Sequence, residues 1–148
     1  MSTMADFLTI DELLEEFEEL EDWEEQCDYL IDLGFELPEF PDEEKTEQNI
    51  VHGCQSRVWL IADTSTTADG QSVTIKADSD AMIVKGLIAV LLATYSGKSP
   101  QDILDVDIKS LFTRMGLDRH LSSTRRNGLF GMVQRIRDYA GRHIECPE

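Results

Sequence analysis

The stretch VTIKADSDAMIVKGLIAVLLATYSG, residues 73–97, changes period part-way along. Val73, Ile75 and Ala77 alternate with polar neighbours, the two-residue repeat of a strand with one buried face. From Asp80 to Tyr95 the chain is apolar almost all round, broken mainly by Lys85, which predicts a central buried helix. Asp78, Ser79 and Asp80 stand ready as caps, and Gly97 as a stop. Gly86 inside a helix costs about 1 kcal/mol relative to alanine, so its presence predicts close packing against another backbone.

Working outward, Val58-Trp59-Leu60-Ile61 is a second β-rich run, and Ala68-Asp69-Gly70-Gln71 carries the Asp-Gly pair favoured in tight hairpin turns. Ile50 and Val51 supply material for a short strand before these, which would place Cys54 on the connection between two strands. On the C-terminal side, Pro100-Gln101-Asp102 opens a short helix, and Ile108, Leu111, Phe112 and Met115 form a further amphipathic turn or two. A last helix from about Thr124 to Arg142 turns Leu129, Met132, Val133, Ile136 and Ala140 inward and Arg125, Arg126, Arg135, Arg137 and Arg142 mostly outward. Towards the N-terminus, Ile10, Leu13, Leu14, Phe17 and Leu20 recur at helical spacing, with Thr9 and Glu12 forming a capping box. Trp23, Cys27, Leu30 and Ile31 mark the next helix, which Gly34 is placed to end, and a proline-punctuated connection runs from Leu37-Pro38 to Glu44. The sum is an α+β domain, a small antiparallel β-sheet packed against several helices. At 148 residues, 41% of them hydrophobic, one domain spanning 1–148 is expected.

Charge is distributed unevenly. Residues 1–48 hold 19 of the 30 acids and one base, Lys45, for a net of −18, whereas residues 49–148 carry +1. An acidic helical arm, 1–48, repels phosphate backbones, so nucleic acid is not an expected partner. It serves either as a solvated face that keeps the protein dispersed or as a surface for a basic protein patch. No run is long and apolar enough for a membrane span, and the segment after Met1 lacks the charge pattern of a secretory signal, so a cytoplasmic location is expected. Cys27, Cys54 and Cys146 are odd in number and widely spaced, which fits neither a disulfide framework nor a zinc motif. His52, His120 and His143 are equally scattered, and no built-in metal site is expected.

Cys27 lies on the apolar face of its helix and reads as a core thiol; Cys146, in a polar tail, reads as incidental. Cys54 is different, because Gly53 precedes it and Gln55-Ser56 follow. Glycine removes a side chain from beside the sulfur and lets a partner approach. A thiolate on such a loop attacks disulfide or persulfide sulfur at a rate set by its ionisation, its leaving group and access. His52 is two positions away, but alternate residues of an extended segment point to opposite faces, which argues against a Cys-His dyad. No oxyanion motif for a cysteine hydrolase is recognisable. The residues alone leave a reactive thiol and a buried structural one both standing.

The run Gly53-Cys54-Gln55-Ser56-Arg57-Val58-Trp59 resembles the G-C-Q-S-x-V-W signature of the SufE/CsdE family of sulfur acceptors. The likeness extends to Trp23-Glu24-Glu25, Leu33-Gly34 and Leu37-Pro38, to Asp78-Ser79-Asp80-Ala81 with Val84-Lys85-Gly86-Leu87, and to His120-Leu121, Arg125 and Gly128-Leu129. It implies a SufE/IscU-like two-layer fold and a chain that takes persulfide sulfur onto Cys54 from a SufS/CsdA-type cysteine desulfurase. The sulfur would pass to a SufBCD-type iron–sulfur scaffold, with pyridoxal phosphate on the partner and no cofactor or independent turnover here. By the same resemblance Gly53, Gln55, Ser56, Asp80 and Arg125 belong to the active loop and its partner-facing surround, in a monomer or weak homodimer. Residue by residue, Asp80 reads as the helix cap and Arg125 as either a docking or a solvated charge.

Overall fold

The computed structural model describes residues 10–37, 40–51, 57–67 and 70–144. Thr9, Pro38, His52 to Ser56, Ala68, Asp69 and Cys146 lie outside the described residues, and with them the expectations placed on Gly53, Cys54, Gln55 and Ser56.

The period change at 73–97 marks the join between sheet and core helix. Strand β1 (Val58–Thr67) pairs antiparallel with β2 (Gly70–Ser79), in a register running from Val58 opposite Ser79 to Thr67 opposite Gly70. Gly70, which opens β2, takes a φ of +120° that suits glycine. Val58, Leu60, Val73, Ile75 and Ala77 are buried on one face of the ribbon. A two-stranded ribbon is marginal alone and needs a helix behind it. The helix that packs on β2 is α3 (Met82–Tyr95), in which Val84 and all residues from Gly86 to Leu92 are buried.

Beyond α3 the chain turns at Gly97, with a φ of +88°, and runs back along β2. The Gly97 amide donates to the Val73 carbonyl at 2.7 Å, and the Val73 amide to the Lys98 carbonyl at 2.8 Å. The outer edge of β2 is therefore paired at Val73. Helix α4 (Pro100–Asp105) starts on a Ser99 cap with proline in its first turn, and α5 (Ile108–Met115) starts on Asp107 and stops at left-handed Gly116. A short α6 (Leu117–His120) leads to α7 (Ser123–Ile144), which buries Leu129, Met132, Val133, Ile136 and Ala140.

The acidic segment folds into the same core. Helices α1 (Ile10–Glu18) and α2 (Trp23–Gly34) both pack on α3, and α1 also touches α5. Leu13, Leu14, Phe17, Leu30 and Leu33 join the apolar cluster around α3, leaving the carboxylates outside. The expected close approach at Gly86 is present. A Cβ there would sit hard against the Leu30 carbonyl oxygen and 2.6 Å from its carbon. Gly34 completes the crossing, because its Cβ would stand 2.8 Å from Lys85 Cβ. As expected, α2 ends at Gly34, with Phe35 beyond it in right-handed geometry, and Gly34 is also needed for room.

Candidate functional site

Two sets of bonds tie down the chain on either side of residues 52–56. On the N-terminal side, two 3-10 turns (Asp42–Glu44 and Glu47–Asn49) deliver the chain to Ile50, which bridges Trp59 of β1. The Asn49 carboxamide donates to the Glu44 carbonyl at 2.7 Å, fixing the two turns to each other. The Val51 amide donates to the Val58 carbonyl at 2.8 Å, and Val51 is buried. From α7, the Arg135 guanidinium donates to the Ile50 carbonyl at 2.6 Å and to the Gln48 carbonyl at 2.7 Å.

On the C-terminal side, both polar groups of the Arg57 backbone are gripped by the join between β2 and α3. Its amide donates to Asp80 Oδ1 at 3.1 Å. Its carbonyl accepts from the Ser79 hydroxyl at 2.7 Å and from the Asp80 amide at 3.3 Å. This corrects the capping expectation for Asp80. Ala81 precedes helix α3 as its capping residue with no side-chain cap on the first turn, and the Ala81 amide goes to Ser79 Oγ at 3.2 Å. A carboxylate at a strand-to-helix join chooses between two sets of amides, and here the one 23 positions upstream takes it.

Beside these anchors lies a small ionic network on the outer side of the ribbon. Asp78, opposite Trp59 in the register, meets Lys45 at 3.2 Å and Lys85 at 3.5 Å. The Lys45 ammonium also stands 5.3 Å from the centre of the Trp59 ring. The hydrogen bond to Asp78 pushes the Lys45 pKa above its ordinary value, so Lys45 stays charged. This places the one base of the acidic arm on the strand that follows residues 52–56.

The remaining candidates are dispersed. Arg125 is half-buried in the first turn of α7, close enough to Cys27 to act on its thiol electrostatically; no described contact joins it to Arg57 or Asp80. Cys27 is only partly covered, less than the core position expected for it. Its thiol is pushed up by its own burial and then by Asp28, against the pull of Arg125, which leaves it a poor nucleophile. His120 stacks flat on Trp23 with ring centres 4.6 Å apart, a packing role. Among the described residues no group of three His, Cys, Asp or Glu side chains is placed to hold a metal ion. Nor is any described helix long and apolar enough to cross a membrane.

Sequence reading missed Ser79 and Arg135 as anchors. Ser79 carried a signal in its position at the helix mouth. Arg135 carried a weaker one, adjoining the core residue Ile136 on a helix whose arginines were expected to face outward; Arg126 and Arg137 likewise bond carbonyls, those of Asp118 and Leu104.

Helices packed on a two-stranded antiparallel ribbon, with the chain held at Val51 and again at Arg57, define an α+β fold. The same fold is found in the solution structure of a hypothetical protein from Thermus thermophilus, with a TM-score of 0.73 over 91% of this chain and 95% of that one at 23% identity. The chain belongs to the SufE family: the family model, described as an Fe-S metabolism associated domain, matches residues 11–140. An uncharacterized SufE-like protein of Rhizobium etli is 45% identical over 132 residues, 89% of each chain. Another, from Rhizobium meliloti, is 41% identical over 132 residues, 89% of this chain and 94% of that one.

Proposed function

We propose that this chain is a sulfur acceptor in iron–sulfur metabolism. It takes a sulfur atom from the persulfide of a pyridoxal-phosphate-dependent cysteine desulfurase onto Cys54, and passes it to a cluster-assembly scaffold. In the acceptance step the Cys54 thiolate attacks the outer sulfur of the donor persulfide. A new S–S bond forms on Cys54 as the donor S–S bond breaks, and the donor cysteine leaves as a thiolate. No net oxidation occurs, so neither a metal nor a redox cofactor is required of this chain. Removing the product persulfide frees the desulfurase for its next turnover, so the chain acts as an activator without a catalytic cycle of its own. Gly53, Gln55, Ser56, Asp80 and Arg125 are the residues proposed to shape or surround the surface that meets the desulfurase.

The observation that carries this reading is the double tether. In a chain of the SufE family, the residues that flank 52–56, Val51 and Arg57, are each held by hydrogen bonds. Fixed flanks on either side of a five-residue stretch bound how far Cys54 can lie from them, which favours a direct sulfur handover between two proteins. Cys27, with its raised pKa, is a poor competitor.

The test is intact-mass measurement after incubation with a cysteine desulfurase, cysteine and pyridoxal phosphate. The native chain should gain about 32 Da, one sulfur, and Cys54→Ala should gain none. Desulfurase turnover should rise with the native chain and not with the variant. Equal sulfur uptake by Cys54→Ala would remove the proposal, and a visible-range chromophore after iron and sulfide reconstitution would point to a scaffold instead.

A further inference from the structure

We infer that Arg135 is a positioning residue for sulfur acceptance, acting through the backbone that leads into the Cys54 segment. The inference rests on the reading of Cys54 as the acceptor, and adds a residue that neither the cysteine motif nor the family resemblance singles out.

The geometry is specific. One guanidinium spans two carbonyls of the same short stretch, Gln48 at 2.7 Å and Ile50 at 2.6 Å, and so fixes the direction of the chain as well as its location. Ile50 is also the residue that bridges Trp59, and Val51 beside it bonds Val58. Those bonds set the register between the incoming chain and β1; the Arg135 fork ties the same stretch to α7, through Met132, Val133 and Ile136 in the core. The incoming backbone thus has its own anchor, independent of the Asp80 and Ser79 grip on Arg57. Four positions separate Ile50 from Cys54, so a shift at Ile50 is passed along a short length of chain.

Arg137 provides an internal comparison. It stands two residues further along α7, is half-buried like Arg135, and also donates to a backbone carbonyl, that of Leu104 at 3.1 Å. Its bond holds the end of α4, away from residues 48–51. A general loss of arginine-to-carbonyl bonds on α7 is therefore separable from loss of the one pair that aims the incoming chain. The surroundings also favour a clean experiment. Arg135 lines a cavity of about 340 Å³ with Glu44, Asn49, Asp63, Tyr139 and Arg142, so water can reach the two carbonyls once the guanidinium is gone. The cost to folding should then be small while the aim is lost.

The experiment compares native protein with Arg135→Gln, Arg135→Lys and Arg137→Gln in three measurements: thermal midpoint, rate of Cys54 alkylation by iodoacetamide, and rate of Cys54 persulfidation by a desulfurase with cysteine. Arg135→Gln should slow persulfidation about tenfold and change the alkylation rate at least about threefold. Arg135→Lys, which keeps the charge but not the fork, should fall between it and native. Arg137→Gln should match native in both rates whatever its thermal midpoint. Should Arg135→Gln fail to fold, Arg135→Lys is read in its place. Arg135 variants with native rates at Cys54, or an Arg137→Gln variant with the same losses, would overturn the inference. The two readings fail differently: a native protein that takes up no sulfur defeats the acceptor function, while the alkylation comparison still decides whether Arg135 positions the segment.

Discussion

Tyr95 has no exposed surface, and its hydroxyl finds no hydrogen-bond partner among the described residues. Burying a hydroxyl without a partner costs about 1–3 kcal/mol, so the ring is kept here despite its polar atom. Tyr95→Phe should leave the fold intact and raise stability by about 1 kcal/mol in urea titration; a loss of that size instead would mean the hydroxyl has a partner. The same burial pushes the phenol pKa up to about 12 from its ordinary value near 10, with the charge of Arg137 pulling modestly the other way. A folded-state pKa above the unfolded one means the neutral phenol is favoured in the fold. Its contribution is complete below about pH 10 and is lost as pH rises from about 10 through about 12. Tyr95→Phe should flatten that alkaline decline. At this scale the sequence marks chemistry better than partnership. Cys54 stands out because its neighbours are polar and glycine precedes it. Arg135 does not, since its acceptors are backbone carbonyls, which every residue has and no letter distinguishes. Asp80 was legible as a polar side chain at a helix mouth, but the competitor for its carboxylate, the Arg57 amide, becomes a neighbour only once the ribbon pairs.

Among the elements, α2 and α3 cross backbone to backbone at Gly86. Gly86→Ala would gain about 1 kcal/mol of helix propensity yet drive a methyl into the Leu30 carbonyl, which belongs to backbone and cannot turn aside. Overpacking of this kind costs about 1–3 kcal/mol or more, so a net loss of about 2 kcal/mol is expected in the denaturant midpoint. A variant as stable as native would mean the helices separate freely. Of the elements, α3 and β2 were the most legible, because a two-residue period and an all-round apolar run cannot be confused over this length. The β1 run was visible for only its first four residues. Beyond Ile61 it carries Asp63, Ser65 and threonines, and is held as strand by its pairing with β2 rather than by an apolar face. Among the described residues, the short strand expected at Ile50 and Val51 is a single bridge from Ile50 to Trp59, directly after the 3-10 turn that ends at Asn49.

For the molecule as a whole, the charge split and the core overlap instead of dividing the chain. The acids of α1 and α2 lie outward, while the apolar stripes of both helices enter the cluster built around α3. At the far side of α1, Glu18 and Arg114 of α5 form a double hydrogen bond that holds the Glu18 carboxyl below the ordinary carboxylate range. Being exposed, that clasp is a weak restraint next to the buried stripe. The glycine crossing therefore has a kinetic consequence. With backbone against backbone, no side-chain rotation opens a gap between α2 and α3, and separating them requires the core to come apart. Amide deuterium uptake at Leu30, Leu33 and Leu87 to Leu91 should then follow one shared opening free energy, equal to that of global unfolding, with α1 opening at a lower one. Uptake in α2 well ahead of α3 would show that the two helices part while the rest of the protein stays folded.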